Sequence, residues 1–135
     1  TERRNERQWS AVAQEDLDVV SDKLSLVTPL GAGDVAVNLS IEGVPGFSRL
    51  PRGTTLTFAG GAVLMVEEYN PPCSRMSHFV AEQYPTCSGE PLAGTDFIEA
   101  SKFCRGLVGV VEVPGIVSVG DSVTVAPEVL PKWLR

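Results

Sequence analysis

Glycine and proline cut this sequence into short apolar runs, and that punctuation limits its fold more than any other feature. The chain has 13 Gly and 10 Pro among 135 residues, an excess that suits a turn-rich β protein better than a helical bundle. Over residues 35–41, Val35, Val37, Leu39 and Ile41 alternate onto one face, and Gly43 with Pro45-Gly46 closes the run. Arg52-Gly53 turns the chain into 54–58, which is rich in β-branched residues. Gly60-Gly61 has the composition of a hairpin turn into a strand over 62–69. Asn70-Pro71-Pro72 ends that strand, because proline cannot donate to a ladder. The same pattern predicts strands over 107–113, 116–121 with its turn, and 122–126, with Pro114-Gly115 and Gly120-Asp121 between them.

Elsewhere the pattern changes. Residues 8–13 alternate at first and predict a strand, and 14–24 predict a helix. Glu15 and Asp16 suit its N-terminus, and Leu17, Val20 and Leu24 fall on one face. A second helix is predicted over 74–83, with Met76, Phe79 and Val80 facing inward, followed by a loop over 85–95. The charged start, residues 1–6, predicts a solvated end, and the tail from Pro127 to Arg135 is expected to pack through Trp133. Strands joined by tight turns, with two short helices, predict a mainly β protein: a closed or nearly closed β-barrel, one domain over 1–135.

A formal charge of −6 excludes a general binder of phosphate backbones and leaves room for a local pocket for one small anion. No apolar run follows the polar start, and the most apolar stretch, 62–66, is too brief to span a bilayer. Neither nucleic acid nor membrane is expected as a partner. The chain has three cysteines, Cys73, Cys87 and Cys104, and one histidine, His78. That set cannot make a four-Cys zinc site, and no pair has C-x₂₋₄-C spacing, so no metal site is expected. Free thiols without a secretory sequence suit a reducing, cytoplasmic compartment.

Few motifs carry chemistry. Gly31-Ala-Gly-Asp-Val-Ala36 spells a dinucleotide fingerprint, but β-branched residues and Pro45 follow where that motif needs a helix. No Ser-centred nucleophile elbow is present. The informative segment is Tyr69-Asn-Pro-Pro-Cys-Ser-Arg-Met-Ser-His78. Cys73 stands where a strand stops and a helix begins, where unpaired N–H groups stabilise a thiolate, and Arg75 is close in sequence. The competing fate for a free Cys is that of a small buried hydrophobe. Cys87 and Cys104 read as structural thiols, or as a resolving partner for Cys73. His78 lies one helical turn beyond Ser74, at a pocket edge or in solvent, as a base or as a ligand for an anion. Arg7, Lys102 and Arg105 stand near predicted strands, either solvated or lining an anion pocket, since Arg grips phosphate with a planar fork.

Taken in order, 37–44, Leu50-Pro-Arg-Gly-Thr-Thr-Leu56, 62–66 and Pro71-Pro-Cys-Ser-Arg-Met76 resemble a MOSC domain, named for the C-terminal part of molybdenum cofactor sulfurases. Arg7-Gln-Trp-Ser10 with Glu15 precedes this set; Arg105-Gly-Leu-Val-Gly-Val-Val111, Pro114-Gly115 and Val119-Gly-Asp-Ser-Val123 follow it. The resemblance covers residues 7–126. It implies a barrel similar to that of pyruvate kinase, with Cys73 at the position of the cysteine proposed to carry sulfur as a persulfide or to contact molybdenum. It also implies a pocket for molybdopterin or a related anionic ligand. Asn38 matches a family position, and its amide both donates and accepts. Val37 stands where the family commonly has an acidic residue, and the His-Gly-Gly segment that many relatives carry near their start is absent from this sequence.

The resulting expectation is a stand-alone MOSC-like protein that binds a molybdopterin-type or other anionic ligand and carries or transfers sulfur through Cys73. Asn38, Arg7, Arg75, His78, Lys102 and Arg105 are the candidate ligand contacts. A cysteine desulfurase or a molybdoenzyme is the expected partner. The alternatives are a non-catalytic binding barrel with an inert, buried Cys73, and a component of a system that reduces N-hydroxylated compounds, as some relatives do.

Overall fold

Proline and glycine bound several of the strands in the structure, a computed structural model that describes residues 5 and 7–127. In chain order come β1 (Trp9–Ala13), α1 (Gln14–Lys23), a 3₁₀ turn (Ala32–Val35), β2 (Leu39–Ile41), a second 3₁₀ turn (Phe47–Arg49), β3 (Thr55–Phe58) and β4 (Val63–Tyr69). Then follow α2 (Ser74–Gln83), α3 (Asp96–Ala100), β5 (Leu107–Val113) and β6 (Val123–Ala126). The chain divides into two compact units. Of the described residues, the first takes those up to Trp9, Leu50–Glu68 and those from Val108 onward; the second takes Ser10–Arg49 and Tyr69–Leu107.

The first unit is built on the β3–β4 hairpin, antiparallel with Leu56 opposite Leu64. Its turn closes as the Gly61 amide donates to the Phe58 carbonyl at 2.9 Å, with Gly61 at φ +95°, a conformation glycine takes without strain. β6 adds antiparallel to β3, with Leu56 opposite Val125. Leu56, Phe58, Leu64, Val66 and Val110 are buried. Gly109 on β5 makes a close approach possible: a Cβ there would lie 1.9 Å from the Met65 carbonyl oxygen and 2.8 Å from the Trp9 ring. The Trp9 indole N–H donates to the Val110 carbonyl at 2.9 Å. The almost fully buried Glu67 carboxylate on β4 meets the Arg52 guanidinium at 3.1 Å, so the Pro-Arg-Gly turn supplies the cation that a buried carboxylate needs.

The second unit packs α1, α2 and α3 around one cluster that includes Val12, Leu17, Val20, Leu30, Val35, Val80 and Phe97. β1 pairs in parallel with β2, Val12 opposite Ser40. Ser21 is buried on α1 without an orphaned hydroxyl: it donates to the Leu17 carbonyl and accepts the Leu30 amide.

The strands form one sheet in the order β2-β1-β5-β4-β3-β6. The protein is mainly β, as the sequence predicts, but the barrel is not closed: among the described residues β2 and β6 stand at the two ends of the sheet. The strand expected over 35–41 shrinks to three residues. Asp34 accepts the Gly31 amide at 2.8 Å, the chain winds into the first 3₁₀ turn, and Ala36 ends it at φ 58°. The strand expected at 116–121 does not form either. Ser118 donates to the Asp121 carboxylate and accepts the Asp121 amide, a tight turn that uses the groups a ladder would need.

Among the described residues three α-helices form rather than two. The additional one, α3, has Phe97 and Ala100 on its buried side, and Asp96 accepts the Ala93 amide at its start. On α2, Val80 is buried and Met76 packs on the core, as expected, but Phe79 is 44% exposed. The small Ser77 takes the inward place, and the Phe79 ring rests edge-on against Tyr84, 6.2 Å away. The expected packing of Trp133 and the expected solvated stretch 1–4 and Glu6 lie outside the described residues.

Candidate functional site

Pro71-Pro72 stops β4 and delivers Cys73 to the N-cap of α2, at φ −120° and ψ 154°. The Cys73 sulfur accepts the Met76 amide at 3.4 Å. It thereby takes up one of the donors that a helix start leaves without a partner. Cys73 is exposed. The alternative built on a buried thiol therefore needs correction: the restricted Pro-Pro segment holds this cysteine at the helix end rather than in the core. Cys87 is exposed and Cys104 half-buried, and all three thiols are free. Burial, together with the Asp16 carboxylate, pushes the Cys104 thiol up, which disfavours its thiolate.

Beside this segment lies a cavity of about 270 Å³, lined by Tyr69, Pro72, Ile98, Lys102 and Phe103. Tyr69 is the last residue of β4 and Phe103 follows α3; their ring centroids are 5.8 Å apart at a 40° tilt. The Arg49 guanidinium lies over the Phe103 ring, 4.5 Å from its centroid. Phe103 sits at φ 58°, a left-handed conformation rare for a bulky residue. The Lys102 ammonium pairs with Glu99 at 3.2 Å, and both side chains are exposed.

The predicted ligand contacts fall in several places. Lys102 lines the cavity. Arg75 and His78 are exposed on α2. The His78 ring lies against Gly94, where a Cβ would come within 3.1 Å of it. Asn38 holds the entry to β2: its side-chain oxygen accepts both the amide and the hydroxyl of Ser10. Arg105 is buried, donates to the Val35 carbonyl at 3.1 Å and faces the Phe97 ring. Arg7 belongs to the other unit, and its guanidinium faces Glu68 at 3.7 Å. The cavity's aromatic walls were missed. Two aromatic residues, Tyr69 and Phe103, each next to a predicted strand end or a basic residue, were the available signal.

Comparison with known proteins agrees along most of the chain. The model for the MOSC domain matches residues 2–124. A Bacillus subtilis (strain 168) protein, YuaD, provisionally named for metal-sulfur cluster biosynthesis, is 31% identical over 127 residues, covering 93% of this chain and 63% of its own length. The crystal structure of the YuaD protein superposes with a TM-score of 0.82 at 29% identity, covering 93% of this chain and 66% of that one. The chain thus spans about 63% of the length of the curated relative it matches.

Proposed function

Because the chain belongs to the MOSC domain family, we propose that it carries sulfur on Cys73 and delivers it to an anionic acceptor. One observation carries this reading: Cys73 is an exposed thiol at the start of α2, with the Met76 amide directed at its sulfur. An amide donor in that place serves a thiolate and a persulfide alike, because both carry negative charge on sulfur.

The transfer balances without an outside oxidant. The Cys73 thiolate attacks the terminal sulfur of a donor persulfide. A bond forms between Cys73 Sγ and that sulfur as the donor's S–S bond breaks, and the donor leaves as a thiolate. Delivery is the same exchange directed at an acceptor thiolate. This chemistry requires a persulfide donor, which a cysteine desulfurase supplies, and a molybdoenzyme is the acceptor that the family association suggests. The three free thiols fit a reducing, cytoplasmic setting.

The family is associated with the molybdenum cofactor. The cavity beside Cys73 does not fit a phosphate-bearing pterin: its one charged lining residue is Lys102, and Arg105 is buried on the Val35 carbonyl. No step here passes through that cofactor.

The test is intact-mass spectrometry after incubation with a cysteine desulfurase and cysteine. Wild-type protein is expected to gain about 32 Da, one sulfur atom, removable by a thiol reductant. Cys73→Ser is expected to gain none while its other thiols still alkylate. An equal gain in Cys73→Ser would refute the reading.

A further inference from the structure

Two aromatic rings face water here: Tyr69, four residues before Cys73, and Phe103, just past α3. Tyr69 is 49% exposed and Phe103 48% exposed, although burying rings of this size is strongly favourable. Phe103 is held in this position by a left-handed backbone, and conformations of that kind persist where the surrounding structure enforces them, often at ligand sites. The Arg49 guanidinium lies over its ring, 4.5 Å from the centroid, a favourable cation–ring contact. With Pro72 and Ile98 the two rings wall the 270 Å³ cavity, and Lys102 supplies its single charge.

These walls define an occupant. Apart from the Tyr69 hydroxyl and the Lys102 ammonium, the lining side chains are hydrocarbon. A heterocycle rich in hydrogen-bonding groups would leave those groups desolvated and unpaired there. The volume is at the small end of ligand pockets. Lys102 is held by Glu99 in an exposed pair, and such pairs are weak enough to exchange for another anion.

We propose that this cavity binds a small carbocyclic arene bearing one negative charge, one or two fused rings with a carboxylate or thiolate. Its flat face packs on Tyr69 and Phe103, and its charge meets Lys102. That the bound molecule is also the organic part of the sulfur donor or acceptor rests on the Cys73 reading; the binding itself does not.

The test is a calorimetric titration of the whole chain, with no sulfur donor present, using 2-naphthoate, 2-naphthamide, pterin-6-carboxylate and inorganic phosphate. Naphthoate is expected to bind saturably at one site. The neutral amide should bind about threefold more weakly, the gain expected from one exposed charge. The pterin should bind about tenfold more weakly, for want of hydrogen-bond partners. Phosphate should give no saturable heat. Phe103→Gly keeps the backbone conformation, removes the ring, and should weaken naphthoate about tenfold. Lys102→Gln, an exposed change that leaves folding intact, should erase the difference between acid and amide. Absence of saturable naphthoate binding, tighter binding of the pterin or of phosphate, or unchanged affinity in Phe103→Gly would each overturn the proposal. Naphthoate binding without sulfur on Cys73 would sink the sulfur reading alone; sulfur uptake without naphthoate binding would sink this one alone.

Discussion

A single hydroxyl ties two loops of the second unit together. Tyr84, just past α2, donates to the Asp34 carboxylate, which in turn accepts the Gly31 amide. Burial and then this bond push the Tyr84 phenol up to about 12. The folded state therefore favours the neutral phenol more than the unfolded chain does, whose tyrosine ionises near 10. The stability this contributes is fully present below pH 10 and is lost as pH rises toward 12. Tyr84→Phe should cost about 1–2 kcal/mol at neutral pH. Denaturant melts from pH 9 to 12 should show the two proteins converging; a constant difference across that range would contradict the assignment. At this scale Cys73 was legible from sequence, because Pro-Pro before a cysteine and a helical run after it announce a helix end. Arg105 was not: nothing local distinguishes a buried arginine that serves a distant carbonyl from one that faces solvent.

At the scale of elements, the hairpin, both long helices and β5 follow from periodicity and turn residues, and their bounds agree with the structure to within a residue or two. The failures share a cause. At Asp34 and Asp121 a side-chain carboxylate captures a backbone amide and winds the chain into a turn where alternation alone predicts strand. The short α3 has too few residues for periodicity to register, although Phe97 and Ala100 three apart were its signal. β5 offers the sharpest test of strand packing. A Cβ at Gly109 cannot coexist with the Met65 carbonyl 1.9 Å away. Gly109→Ala should therefore destabilise by about 3 kcal/mol or more, read as a lower urea midpoint. An unchanged midpoint would mean β4 and β5 do not approach as described.

For the whole molecule, the MOSC resemblance read from ordered motifs over 7–126 is borne out by the family model, which matches residues 2–124; of the closed or nearly closed barrel, the mainly β sheet forms but does not close. Alternating strands predict a sheet but not whether its ends meet, because closure depends on strand number, tilt and register stagger, which alternation does not encode. Among the described residues no helix is long and apolar enough to cross a membrane. What separates a sulfur carrier from an inert member of the family is the distinction between two exposed thiols. Cys73 caps a helix and Cys87 sits in a loop, so each serves as the other's control. The most direct measurement is site-resolved mass spectrometry of both cysteine peptides after a cysteine desulfurase reaction. The sulfur adduct is predicted on the Cys73 peptide, with Cys87 essentially unmodified; equal labelling of the two, or labelling of Cys87 alone, would contradict the assignment of sulfur transfer to Cys73.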